Sequence, residues 1–269
     1  MTSSDAKTHR LFDSALVRAP PNSYSSCLST NPVRNTIDVT LAKEQHRTYV
    51  SILKEAGIKT SELSPLEQFP DSVFMQDPAL LGVDQAVIGR FAATSRRGEE
   101  MELEKDLRGG KASVGSLKRI TAPSTLEGGD ILITDHELFV GDSQRTNSNG
   151  ITQLAAILSK LKAKEVKTRL FHLLCGVTYL SERTMIISPE LVGEDNFPGY
   201  RFIEIPKQDA YSCDALYLGE GKVLIPSGFP NTATKLRNFG YVPVEVDMSE
   251  FYKGDGGVTC LSSPIYRIL

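Results

Sequence analysis

The sequence predicts an α/β fold in which five like units, each a β-hairpin followed by a helix and a strand, close into a ring around a central site. Three observations carry that expectation. Short apolar runs divided by a polar turn occur five times, which marks hairpins, and their turns begin at residues 82, 134, 181, 219 and 262. The intervals of 52, 47, 38 and 43 fall in or beside the range of about 20 to 50 residues that signals repeated supersecondary units. Most intervals then hold a segment of helical period followed by a strand. No unit could bury its sheet face alone, so the five must pack on one another. A ring is expected over an open stack, whose end units would carry polar caps that are not apparent.

In chain order, residues 12–17 form an extra strand ahead of the first helix. That helix, 41–56, sets Leu41, Tyr49, Val50 and Leu53 near one face and stops at Gly57, a residue suited to ending helices. A weaker strand follows around 60–63. The first hairpin spans 78–88, with a helix at 101–107 and a strand at 118–121. The second spans 130–140. Its helix, 151–161, has the i, i+3, i+4, i+7 spacing in Ile151, Leu154, Ala155 and Leu158, with Thr146 and Asn147 as caps, and its strand is 166–171. The third hairpin, 177–187, is followed by a short helical piece near Leu191 and a strand at 200–205. The fourth, 215–225, leads to a helix at 232–239 and a strand at 241–246, and the fifth occupies 258–269.

Composition narrows the function. The chain has 269 residues, a net charge of −3, 40% hydrophobic residues and no tryptophan, an ordinary globular make-up large enough to bury a core without metal or disulfide staples. With no basic run, nothing invites nucleic acid, since phosphate contacts need clustered Lys and Arg. The first ten residues carry no apolar signal region, and no stretch of about 20 apolar residues exists to span a bilayer. A soluble, cytoplasmic protein with neither membrane nor nucleic-acid partner is expected; a homodimer is left open. Cys27, Cys175, Cys213 and Cys260 stand far apart with no C-x-x-C pair, so zinc and disulfide frameworks are poorly supported. A single Cys with a single His could instead supply nucleophile and base.

Ring closure would make neighbours of the segments between each unit's last strand and the next hairpin: 70–77, 126–130, 171–176, 208–214 and 254–260. They carry Asp71, Asp77, Glu127, Asp255, His172 and Cys260. Several carboxylates facing one cavity are costly to bury unpaired, so they call for a cationic substrate. A guanidinium fits best, being planar and able to pair bidentately with carboxylate. A thiolate can attack its polarised central carbon, and loss of an amine leaves a covalent thiouronium that water hydrolyses. His172 would protonate the amine and then deprotonate the water.

The motifs Phe69-Pro-Asp-Ser-Val-Phe-Met-Gln-Asp-Pro78, Ser95-Arg-Arg-Gly98, Leu126-Glu-Gly-Gly-Asp130, Arg145-Thr-Asn147, Phe171-His-Leu173 and Asp255-Gly-Gly-Val-Thr-Cys260 resemble the guanidine-modifying pentein superfamily, above all its dimethylarginine dimethylaminohydrolase (dimethylargininase) family. The resemblance runs from about Leu16 to Ser262. It implies a five-bladed α/β propeller of pseudo-repeated ββαβ modules, a single domain over 1–269 with residues 1–11 as a disordered tail, and a lid at 20–32. It implies a hydrolase acting on linear amidines, converting methylated arginine to citrulline and an alkylamine, without a cofactor or obligatory metal. By position, Cys260 would be the nucleophile, His172 the general acid/base, and Glu127 the acid that binds the guanidinium and orients the His. Asp77 would hold the guanidinium nitrogens, Arg96 and Arg145 the α-carboxylate and Asp71 the α-amino group, with Gln76, Leu28 and Asp255 completing the substrate contacts.

Two positions depart from the pattern. Dimethylargininases usually carry Glu at the place of Gln76, whose neutrality would favour another alkylated guanidine or a less basic ligand. Arginine deiminases usually carry Asp where this chain has Leu174, which speaks against simple arginine deimination. Taken singly, Cys260 reads as a packing residue, His172 as a structural histidine, Glu127 as a turn cap, Asp77 before Pro78 as a turn former, and the two arginines as surface ion-pair partners. Their joint placement makes the site. Arg97 stands as an alternative to Arg96, and Cys175, near His172, as the rival nucleophile. Cys27 and Cys213 read as structural, and His9, His46 and His136 as solvated. The second functional reading is an arginine deiminase or amidinotransferase; the third is a non-catalytic five-bladed binding protein of the kind that blocks ribosomal subunit joining, which the intact Cys, His and Glu set disfavours.

Overall fold

The strands that read as continuous apolar runs are buried on both faces. In the computed structural model, which describes residues 9–158 and 161–269, β3 (Ala79–Gly82), β6 (Ile131–Ile133), β9 (Val177–Ser181) and β12 (Leu216–Gly219) are buried at every residue. Each pairs antiparallel with the next strand: β4 (Gln85–Ile88), β7 (Leu138–Asp142), β10 (Thr184–Ile187) and β13 (Lys222–Pro226). That strand pairs in parallel with an outer one, β5 (Ser116–Arg119), β8 (Ala163–Lys167), β11 (Arg201–Glu204) or β14 (Val242–Val246). Burial falls from axis to rim, since β5 has no buried residue and β14 only Val246. At the axis, β6, β9, β12 and Gln76 enclose a cavity of about 60 Å³.

The fifth module departs from expectation. No hairpin forms over 258–269: residues 259–261 make a 3-10 turn, and β15 (Ser262–Tyr266) runs straight through the Ser-Ser-Pro that reads as a turn. Its antiparallel partner is β1 (Phe12–Arg18), with Leu16 opposite Ser263 and Val17 opposite Ser262. From β1 the chain passes through α1 (Val39–Glu55) to β2 (Lys59–Leu63), which pairs in parallel with β1. The extra N-terminal strand and the last strand are thus one hairpin shared between the chain ends. Because β15 also pairs in parallel with β3, two modules merge into one six-stranded sheet, β2-β1-β15-β3-β4-β5. The Tyr49 hydroxyl on α1 meets the Ser262 hydroxyl at 2.8 Å and fastens the seam from behind.

Local chemistry sets the helices. Asp38 caps α1 by accepting the N–H groups of Thr40 and Leu41 at 2.8 and 3.1 Å. The buried face of α1 includes His46 between Ala42 and Tyr49; this His, expected to be solvated, shares the helix's apolar stripe, and burial pushes its pKa down to about 4. α2 (Glu99–Arg108) follows β4. Asn147 caps α3 (Ser148–Ile157) through the Gly150 N–H; the expected extension to 161 includes residues 159 and 160, outside the described ones. The third hairpin's expected helix near Leu191 is absent, and only a 3-10 turn, Glu194–Asn196, precedes β11. Pro189, Gly193, Pro198 and Gly199 leave no room for a helix there. α4 (Pro230–Asn238) and α5 (Ser249–Lys253) follow β13 and β14. β8 stops at Lys167, so 168–171, expected as strand, is loop leading to His172. Of the expected 1–11 tail, residues 1–8 lie outside the described ones, while Arg10 is tied to the carbonyls of Ala56, Gly57 and Leu218 at 2.6, 2.8 and 3.0 Å. No helix among the described residues is long and apolar enough to cross a membrane.

Deleting residues 262–269 takes from β1 and β3 their shared partner. Cooperative thermal unfolding, followed by circular dichroism, is expected to disappear; a truncated chain melting at the full-length temperature would show the closure to be dispensable.

Candidate active site

All five inner strands are entered from one side of the ring, so the turns preceding them converge at one pole. There lies a cavity of about 260 Å³ lined by Leu28, Asp71, Asp77, Arg96, Arg145, His172, Asp255 and Cys260. Eight of the ten expected site residues therefore share one space. Glu127 stands just behind His172, and Gln76 does not face the cavity.

The turn before β6 brings the acids to the imidazole. A Cβ at Gly129 would lie 2.6 Å from His172 Nδ1 and 2.9 Å from Asp77 Oδ1, so only glycine permits their approach. Fully buried Glu127 places Oε2 2.9 Å from His172 Nε2 and accepts the Ala92 N–H on Oε1 at 3.0 Å. On the other side, Asp77 Oδ1 lies 3.7 Å from His172 Nδ1. Burial works against charge on His172, but Asp77, the Glu127 hydrogen bond and Asp130 outweigh it and raise its pKa to about 9. At neutral pH the ring is an imidazolium.

Cys260 sits in the 3-10 turn before β15, where its Sγ accepts the Gly257 N–H at 3.3 Å and lies 3.9 Å from Asp214 Oδ2. Burial, then the carboxylates of Asp214 and Asp77, push this thiol well above its usual range, so it rests protonated. Cys175 lines the same cavity, its thiol pushed up to about 12 by burial and then by Asp214.

Arg96, not Arg97, faces the cavity. Arg97 is exposed and donates to the Phe91 carbonyl at 3.0 Å. Arg96 is buried, and where a free carboxylate ligand was expected it is committed: Nη1 to Asp77 Oδ2 at 2.7 Å, Nε and Nη2 to Glu99 at 3.0 and 2.9 Å, with its guanidinium carbon 4.3 Å from the Phe91 ring centre. Burial raises the Glu99 carboxyl to about 7 against the pull of Arg96. For Asp77, burial disfavours charge, but His172 and Arg96 outweigh it and hold the carboxyl below its usual range. Arg145, half-buried with its guanidinium carbon 5.1 Å from the Phe171 ring centre, has no side-chain ion pair among the described residues.

The segment over the cavity is held by two acids. Asp71 accepts the Leu28 N–H at 3.1 Å, and Asp255, itself in the left-handed region at φ 58°, accepts from Thr30 N–H at 2.5 Å and from its hydroxyl at 3.0 Å. Gln76 is placed otherwise than expected: it lines the axial cavity and donates to the Gly128 carbonyl at 3.2 Å. Leu174 lines that axial cavity too, so neither departure from the family pattern faces the site. Sequence position hid this, because Gln76 stands beside Asp77 and Leu174 two residues after His172, but both lie in turns, 75–78 and the 3-10 turn Leu173–Cys175, whose residues face different directions. Sequence reasoning passed over Glu99, although its place three residues after Arg96 signals an ion pair, and over Asp130 and Asp214, both inside the segments it singled out.

Asp77, Glu127 and His172 offer ligand atoms within 4.8 Å of one another, but a metal there would have to break the Glu127–His172 hydrogen bond.

A family profile described as N,N dimethylarginine dimethylhydrolase, eukaryotic, matches residues 22–267. An uncharacterized protein of Aeropyrum pernix is 40% identical over 268 residues, 97% of this chain and 98% of the relative. The N(G),N(G)-dimethylarginine dimethylaminohydrolase of Pseudomonas aeruginosa is 36% identical over 255 residues, 94% of this chain and 99% of the relative. A solved structure of the P. aeruginosa enzyme, a cysteine-to-serine mutant complexed with citrulline, matches with a TM-score of 0.88 at 34% identity over 95% of this chain and 100% of that one.

Glu127→Gln removes one acid that holds the imidazole charged. The His172 titration, read by NMR, is expected to fall from about 9 by about one unit or more; an unmoved titration would show Glu127 to be uncoupled from the ring.

Proposed function

The chain belongs to the dimethylarginine dimethylaminohydrolase family, and from that premise we propose that it hydrolyses Nω-methyl- or Nω,Nω-dimethyl-L-arginine to L-citrulline and an alkylamine through a covalent thiouronium on Cys260. One observation carries the reading. Asp77 Oδ1 is buried beside His172 with no hydrogen-bond partner among the described residues, and it lies on the wall that Cys260 shares. A buried carboxylate oxygen without a donor is costly, and a guanidinium N–H satisfies it. The citrulline held by the P. aeruginosa relative is the product this chemistry yields.

The steps follow from the charges. A guanidinium entering against Asp77 brings a positive charge beside Cys260, which favours the thiolate over the resting thiol, whose proton leaves to solvent. The sulfur attacks the guanidinium carbon, and the C–N bond to the alkylated nitrogen breaks as His172 donates its proton to the leaving amine. Neutral His172, oriented by Glu127, then takes a proton from water. The hydroxide adds to the thiouronium carbon, and the C–S bond breaks as the new hydroxyl becomes the ureido carbonyl, its proton passing to the departing Cys260 thiolate as citrulline is released. At the far end, Arg145 takes the α-carboxylate and Asp71 the α-amino group, with Leu28 above them. Arg96 holds Asp77 in place and leaves Oδ1 for the substrate.

In this reading residues 1–269 work as one catalytic domain, supported by the contribution of every module to the pole, and 20–32 act as a lid, supported by the ties of Leu28 and Thr30 to Asp71 and Asp255. The partner is a small cationic guanidine and no nucleic acid. Every group in the scheme lies on one chain, so a homodimer would not be needed to complete the site. We assign the reaction to the cytoplasm, supported by four free thiols that suit a reducing compartment.

Cys260→Ser is expected to cut citrulline release from a methylarginine panel by about 10³-fold or more; turnover near wild type would move the nucleophile to Cys175. The imidazolium is present below a pKa of about 9 and lost above it, so kcat/KM should decline above about pH 9. A rate that keeps rising through that range would rule out the protonated His172 as the acid.

A further inference from the structure

Two buried aspartates outside the cavity occupy matched places in the ring. Asp130 immediately precedes β6 and Asp214 precedes β12 by two residues; they are 0% and 3% exposed. Asp130 Oδ1 accepts the N–H of Leu173, the residue after His172, at 2.9 Å. Asp214 Oδ1 accepts the N–H of Thr259, the residue before Cys260, at 2.6 Å. In each case an acid at the entrance to one inner strand reaches into the turn entering the inner strand of the next module.

The surroundings are shaped for these contacts. A Cβ at Gly257 would lie 2.1 Å from Asp214 Oδ2, and one at Gly141 would lie 2.6 Å from Asp130 Oδ1. Glycine therefore lets each carboxylate approach. Asp130 Oδ2 is held by the Ser143 hydroxyl at 2.7 Å, and Asp214 Oδ2 lies against the Cys260 sulfur. An apolar side chain could fill either place without burying an acid, and a backbone N–H bound by a carboxylate is held more tightly than by a neutral acceptor.

We propose that Asp214 and Asp130 are positioning residues, each reaching one module ahead to fix by a backbone hydrogen bond the turn that presents a reacting group, Cys260 for Asp214 and His172 for Asp130. The proposal rests on the methylarginine-hydrolase reading for the identity of those groups. Neither aspartate lines the substrate cavity, so their loss should leave substrate affinity alone while letting the sulfur or the ring drift. A displacement of about 1 Å at a reacting atom costs on the order of 10²-fold in rate.

The test compares Asp214→Asn with Asp214→Ala, and Asp130→Asn with Asp130→Ala, since Asn keeps an oxygen acceptor and Ala does not. Steady-state turnover of a methylarginine is measured alongside hydrogen exchange of the Thr259 and Leu173 amides by NMR. The alanine variants should lose about 10- to 100-fold in kcat with KM within about threefold, and should lose protection of the flanking amide. The asparagine variants, whose lost charge moves the Cys260 or His172 titration, should retain that protection and, each compared at the optimum of its own pH–rate profile, kcat within about threefold. Alanine variants with wild-type kcat, asparagine variants as impaired as their alanine partners, or a loss that appears in KM alone would overturn the proposal. Should an alanine variant fail to fold, its asparagine partner decides: near-normal kcat with a protected amide supports positioning, and a loss of about 100-fold overturns it. If the unaltered protein releases no citrulline, the hydrolase reading fails by itself, while the exchange comparison, which needs no substrate, still decides whether the carboxylates fix these turns.

Discussion

The pairing of β15 with β1 is the contact on which the molecule turns. It joins the two ends of the chain, supplies the fifth hairpin, and by the parallel pairing of β15 with β3 closes the ring. Cys260 stands two residues before β15, so the position of the proposed nucleophile is set by a pairing that exists only after closure. The other inner strands bring their own loops to the same pole: Asp77 before β3, Glu127 before β6, His172 before β9. A ring with one seam open would still hold the acids and the imidazole. It would not hold the sulfur against them.

Around that pole the acids outnumber the cations, and the arrangement manages the imbalance in two ways. Some acids are neutralised by fixed partners, as Arg96 is shared between Asp77 and Glu99. Others accept backbone N–H groups, as Asp71 does from Leu28 and Asp214 from Thr259. What is left over is one oxygen of Asp77, an imidazole held charged and, at the far end, Arg145 with no ion pair among the described residues. A guanidinium fits this remainder in shape and sign, whereas an anion would meet the carboxylates and a neutral amide, though able to donate an N–H, would bring no charge against Asp77. Selectivity for cations thus comes from the unmatched part of a nearly matched charge network.

Much of this was legible in the residues. The regular spacing of hairpin turns revealed the repeat, and the loops between modules revealed the acids, the His and the Cys, because each motif lies within one short segment. The split hairpin was not legible: a local window sees Ser-Ser-Pro as a turn, while the deciding partner, β1, lies at the other end of the chain. His46 looked solvated because its neighbours in sequence are polar, although it falls on the stripe of Ala42, Tyr49 and Leu53. Gln76 looked like a substrate contact because it precedes Asp77, yet the two lie in a turn that sends adjacent side chains different ways, and Gln76 faces the axis. Arg96 was found, but its ties to Asp77 and Glu99 were not, since a motif names a residue without naming its partners.

In the proposed mechanism the same charge network gives the reaction its direction. Substrate binds as a cation that satisfies Asp77 and lowers the cost of a thiolate beside two carboxylates. Hydrolysis converts the guanidinium to a ureido group, which carries no charge and no longer compensates Asp77 or a sulfur anion. The thiolate released in the last step therefore stands again among Asp214 and Asp77 without a cation, and burial and these acids drive it back to the thiol. His172, neutral after delivering its proton to the amine, regains one as it activates water, and its acidic neighbours hold that proton. The acids that make the empty site receptive to a guanidinium thus also restore the resting pair of thiol and imidazolium once the positive charge is gone, and no separate residue is required to reset the site.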